Sequence, residues 1–108
     1  MCQADPYLRR RPARIEWILD ADCTEVSVDH PFVGILQESV AATGLPSALS
    51  GFGAHSDIGL PTELGHTPTV NFGPGDPALA HQPNERVAIA DLLDCTKAIA
   101  MTIERWCR

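Results

Sequence analysis

A chain of 108 residues is enough for one small domain and not for two. Its 14 acidic side chains outweigh 8 basic ones, and the resulting charge of −6 excludes a nucleic-acid surface, which needs a basic field. No apolar run approaches the roughly 20 residues of a membrane span, and the opening MCQADPYLRRR lacks the apolar stretch of a signal peptide.

Residues 1–13 read as irregular, punctuated by Pro6 and Pro12. Arg9, Arg10, Arg11 and Arg14 gather there, and a basic run of this kind is ordinarily a solvated segment. Residues 14–20 then alternate. Ile15, Trp17 and Leu19 face one way, Glu16 and Asp20 the other, which predicts a half-buried strand. Asp29 is placed to cap a helix with Pro31 in its first turn, where a missing N–H is harmless. Phe32, Ile35, Leu36 and Val40 fall on one face of that helix. Gly44 ends it, and Pro46 keeps it from resuming.

Residues 47–52 are weakly strand-like and lead into the Gly51/Gly53 turn. Residues 67–72 (TPTVNF) make a better strand, with Val70 and Phe72 on one face. The following Gly-Pro-Gly-Asp-Pro can only be a loop. Asp91 is placed to cap a last helix carrying Leu92, Cys95, Ile99, Ile103 and Trp106 at helical spacing. Helices alternating with short strands predict an α/β layer with some parallel pairing.

Four cysteines stand at positions 2, 23, 95 and 107. Their spacing fits neither a CxxC knuckle nor a dense disulfide framework. They read as reduced thiols of a cytoplasmic protein. A cysteine-based metal module is the competing interpretation, and it predicts metal loss on thiol alkylation.

The most informative stretch is residues 73–87, GPGDPALAHQPNERV. It sets His81 behind a Gly/Pro-rich turn and ahead of Asn84 and Glu85. A lone loop histidine is ordinarily a surface residue, so the surrounding pattern carries the signal. A neutral imidazole binds zinc well, and a loop past a strand end is a common place to present one. Asn84 is a natural turn former, because its side chain can bond its own backbone. Glu85 could hold the loop in shape by accepting a hydrogen bond, or could stabilise backbone N–H groups near the last helix. Gly73, Pro74 and Gly75 do not make a Walker loop, since neither lysine nor helix follows. They suit a tight turn, either structural or placed to bring backbone N–H groups to a substrate.

This stretch resembles the last metal-binding motif of the M20 family of zinc amidohydrolases, the group of acetylornithine deacetylase and succinyl-diaminopimelate desuccinylase. The resemblance extends upstream through residues 51–57 (GFGAHSD) and 67–73 (TPTVNFG), and downstream into the last helix. It implies a C-terminal piece of an α/β catalytic domain, with two main helices and short, partly parallel strands. Residues 1–28 would be the lead-in and strand leaving the family's lid domain, and residues 29–108 the tail of the catalytic domain. On this pattern the chain begins inside the family fold, so Met1 reads as an internal or misassigned start.

The resemblance also implies a set of roles. His81 would be a zinc ligand, with cobalt as the alternative ion. Ser56 and Asp57 match the family's Ser/Thr-Asp turn on the substrate side, and Gly73 and Gly75 would line the same side. Family members often carry an arginine two residues after that aspartate, suited to a substrate carboxylate. Here Gly59 stands there, which weighs against a diacid substrate. His55-Ser56-Asp57 also spells the H-x-D of the family's first zinc motif, but it stands where the Ser/Thr-Asp turn belongs and is read as a decoy.

The family's general base comes from a Glu-Glu pair, and this sequence has none. One histidine falls short of the three protein ligands typical of catalytic zinc. The expectation is therefore a fragment of a zinc-dependent amidohydrolase acting on an N-acyl amino acid or related small amide, inactive alone. Its partners would be that substrate and the missing N-terminal half or a partner chain, with self-association as a further outcome. The alternative is a non-catalytic remnant or interaction domain that kept the scaffold.

Overall fold

The computed structural model describes residues 4–16 and 23–108. Three α-helices form within them: α1 (Pro6–Arg10), α2 (Pro31–Ala41) and α3 (Ile89–Trp106). A π-helical turn at Leu60–Leu64 and a 3₁₀ turn at Pro77–Leu79 interrupt the long connection from α2 to α3.

Each start has a local cause. The Asp5 carboxylate accepts the N–H groups of Tyr7 (2.7 Å) and Leu8 (3.0 Å), with Pro6 in the first turn. A short helix thus forms inside the lead-in expected to be irregular. For α2 the cap is His30 rather than Asp29. Its Nδ1 accepts the Phe32 N–H at 3.2 Å, the role an Asp or Asn oxygen ordinarily plays. Gly44 takes a φ of +84° just past the end of α2, as a C-terminal glycine is expected to. Asp91 does not cap α3. Ala88 precedes the helix, and Asp91 sits in the first turn, where its charge complements the helix dipole.

The core is the contact between α2 and α3. Val33, Ser39 and Val40 of α2 are buried there with Cys95, Ala98 and Thr102 of α3. Ala98 and Ser39 are fully covered, so the helices touch through small residues. Ser39 Oγ donates to the Ile35 carbonyl at 2.8 Å and accepts from Arg105 at 3.3 Å, so the buried hydroxyl is satisfied. Trp106 packs edge-on against Phe32, 5.4 Å between centroids, and against His30 at 6.1 Å. Burial pushes the Cys95 thiol above its ordinary pKa.

Two expectations are corrected. The apolar stripe Leu92, Ile99, Ile103 and Trp106 of α3 is largely exposed, and only Cys95 of that set is buried. More broadly, the α/β layer does not form, because no strand occurs among the described residues. Residues 47–52 and 67–72 are unpaired, and so are residues 14–16. The rest of the alternating segment, 17–20, lies outside the described residues. Alternation reports which side chains share a face. A strand also needs a neighbour to bond its backbone, and among the described residues 67–72 form no strand ladder. The chain is correspondingly open, with a radius of gyration of 19.6 Å, against roughly 13 Å for a compact domain of about 100 residues.

Candidate functional site

The loop of residues 73–87 is built by backbone conformations that few residues tolerate. Gly75 has a φ of +89°, and a Cβ there would meet Val87 Cγ2 at 3.2 Å. The conformation favours glycine at 75, and the close approach would make the Val87 methyl yield to any larger residue. Gly73 has neither constraint, and a Cβ on it would enter open space. Asp76 caps the 3₁₀ turn by accepting the Ala78 N–H at 2.9 Å.

His81 (φ +60°) and Asn84 (φ +63°) both take the left-handed conformation. Asparagine visits that region at little cost, whereas for histidine it is a strain of order 1–3 kcal/mol that neighbours must hold in place. The holder is Glu85. Its Oε2 accepts the His81 N–H at 3.1 Å, and its own N–H donates to the Gln82 carbonyl at 3.1 Å. The Glu85 carboxylate thus holds a backbone N–H of the loop and not the His81 imidazole, an arrangement that fits both of the roles open to it.

Beside this loop runs a groove of about 560 Å³, within the range of small-molecule sites. Phe52, Asn71 and Phe72 line one part, and Gly73, Gly75, Glu85 and Arg86 another. Ser56 joins it indirectly, because its Oγ donates to Asn71 Oδ1 at 3.0 Å. Asp57 does not line the groove. Its side chain is 88 % exposed and lies 3.7 Å from His55 Nε2. The His81 imidazole also lies outside the lining and makes no hydrogen bond among the described residues.

The expected site residues are therefore gathered in part. Gly73, Gly75, Glu85 and, through Asn71, Ser56 belong to one groove, while Asp57 and the His81 ring stand apart from it. No group of three or more His, Cys, Asp or Glu side chains among the described residues is placed to hold a metal ion. His81 offers one donor, which does not make a zinc site. Sequence reasoning missed Asn71, Phe52 and Arg86 as lining residues. The available signal was Asn71 itself, a polar residue between Val70 and Phe72 at the mouth of a glycine turn.

Comparisons with known proteins converge on one family. The model described as Peptidase family M20/M25/M40 matches residues 10–105. A Pyrobaculum aerophilum protein named as a LysW-lysine/LysW-ornithine hydrolase is 35% identical over 85 residues, which span 76% of this chain and 25% of that protein. The N-formyl-4-amino-5-aminomethyl-2-methylpyrimidine deformylase of Halalkalibacterium halodurans is 30% identical over 117 residues, spanning 99% of this chain and 27% of that protein. The chain thus spans about a quarter of the length of these curated relatives. No solved structure matches it.

Proposed function

The chain belongs to Peptidase family M20/M25/M40, and on that premise we propose that it is the C-terminal part of a metal-dependent amidohydrolase. The substrate is an N-acyl amino acid or related small amide. The carrying observation is the family match over residues 10–105, within which the loop that resembles the family's last ligand motif sets His81 behind the glycine turn, its N–H held by Glu85. The names of the two relatives, a hydrolase and a deformylase, support the same class of bond cleavage.

We assign His81 as this chain's one ligand to a zinc or cobalt ion. The other ligands and the general base come from residues outside the chain, so no hydrolytic step is derived from the described residues alone. Ser56, Gly73 and Gly75 line the substrate side, and Glu85 shapes the ligand loop. The unpaired cysteines at 23, 95 and 107 fit a reducing, cytoplasmic setting. No helix of the described residues is long and apolar enough to cross a membrane.

The test is complementation. The purified chain should not hydrolyse N-acetyl amino acids, with or without added zinc. Co-expression with the N-terminal part, from the same gene or a near relative, should restore turnover and bound metal. His81→Ala should then remove metal and lower turnover by several orders of magnitude, while His66→Ala should change neither. Unchanged metal and turnover in His81→Ala would sink the assignment. The rival reading is a scaffold that has lost its chemistry. An upstream frame encoding an H-x-D motif and a Glu-Glu pair would exclude that rival.

A further inference from the structure

We propose that Asn71 is the substrate-recognising donor of this groove, presenting its side-chain N–H to an acceptor on a ring-bearing amide while Ser56 fixes its orientation. The proposal rests on the amidohydrolase assignment and names the substrate class of that site. It begins with hydrogen-bond polarity. The Ile58 N–H reaches Ser56 Oγ at 3.4 Å, and the Ser56 hydroxyl donates onward to Asn71 Oδ1 at 3.0 Å. A side-chain amide has one acceptor oxygen and one NH₂ donor. Ser56 engages one acceptor position of the oxygen, while the NH₂ makes no hydrogen bond among the described residues and is the part of the side chain still to be partnered. A carbonyl, formyl or ring-nitrogen acceptor would meet it.

The walls narrow the class further. Phe52 and Phe72 line the groove together with Asn71, and both keep a third or more of their surface open. Two aromatic side chains beside one neutral donor suit a planar ring, which gains apolar burial there. The charges agree. Asp76 and Glu85 face the groove against Arg86 alone, a local sum of −1. A dicarboxylate would meet that surplus, and the cation that could grip it after Asp57 is replaced by Gly59. The amine side of the substrate is therefore a neutral or amine-bearing ring rather than a diacid.

Binding tests this without catalysis. The 108-residue chain, ¹⁵N-labelled, is titrated with N-formylbenzylamine and, separately, with succinate. The ring amide should move the Asn71 side-chain NH₂ resonances and the Phe72 backbone amide, and succinate should move neither. Asn71→Asp should weaken the ring amide about tenfold, since a carboxylate cannot donate and the lost bond is to a group left unpaired. Ser56→Ala should weaken it less, by letting the amide turn over, and Ser56→Thr should restore both the affinity and the Asn71 resonance positions. Equal affinity in Asn71→Asp, no movement at Asn71, or tighter succinate binding would each overturn the proposal. Failure of the parent assignment reads differently: the complemented enzyme would then hydrolyse no amide at all, whatever the chain binds.

Discussion

Replacing Gly75 by alanine should loosen the loop that carries His81. At a φ of +89° an L-residue enters the left-handed region, at a cost of roughly 1–2 kcal/mol. The new Cβ would also stand 3.2 Å from Val87 Cγ2, so the valine methyl must yield by a few tenths of an ångström. The two effects act on the base of the loop, where residues 75 and 87 meet. A loss of ~1–2 kcal/mol corresponds to about a 5–30-fold rise in the open population. The assay is native-state amide exchange at His81 and Glu85, whose N–H groups bond to Glu85 Oε2 and the Gln82 carbonyl. Both should exchange faster by that factor. Gly75→Asn should be milder, because asparagine tolerates the left-handed region. Gly73→Ala meets no atom within 4 Å and should stay within about twofold of the parent. Equal effects at 73 and 75 would mean that the turn does not govern the His81 loop, and the reasoning would be refuted.

Self-association is expected, because Ile89, Leu92, Leu93, Ile99, Ile103 and Trp106 leave an apolar stripe open on α3. Sedimentation should show mass rising with concentration, and Ile99→Glu with Ile103→Glu should return the chain to monomer. A cooperative monomer with a radius of gyration near 13 Å, the size of a compact domain, would contradict this. A second expectation concerns the thiols: exposed Cys23 and Cys107 should be alkylated well before buried Cys95, as peptide mass spectrometry would show. Because burial raises the Cys95 pKa in the folded chain, its stabilising contribution is full below the unfolded thiol pKa. It is lost as pH rises through the folded value. The melting temperature should therefore fall on the alkaline side, and less so in Cys95→Ala; the same alkaline loss in Cys95→Ala would place its cause elsewhere.

The two longer helices were legible because their signals are local, whereas α1 fell in a lead-in read as irregular. Pro31, Gly44 and the spacing in residues 89–106 fix where α2 and α3 run, whatever else the chain does. The sheet was not legible as present or absent. TPTVNF carries strand alternation, but nothing in those six residues says whether a partner lies alongside. The cap of α2 was misassigned by one residue because histidine is rarely counted as a cap, although its Nδ1 can serve. In the site, the glycine turn, His81 and Glu85 were visible as a pattern. Asn71 was not, since its role depends on Ser56 folding back across 15 residues.

The two faces of α3 explain why its buried side was misjudged, and they connect the helix to the site. Leucine and isoleucine at 92, 99 and 103 form the more apolar stripe, so sequence alone assigns burial to them. The helix instead presents Cys95, Ala98 and Thr102 to α2, because only small residues let two helices come that close. Ile99 lies about 100° further round than Ala98, and it stays 43% exposed. Val87 stands two residues before α3 begins, and it is also the residue against which Gly75 closes the loop. The start of the helix and the base of the His81 loop are therefore one mechanical unit. Covering the open stripe of α3 is expected to steady Val87, and through it the turn and the His81 loop. Exchange at the His81 amide should accordingly slow when the N-terminal part is supplied, even with the metal chelated. If it slows only when metal is restored, the loop is ordered by ligation and not by the seating of α3.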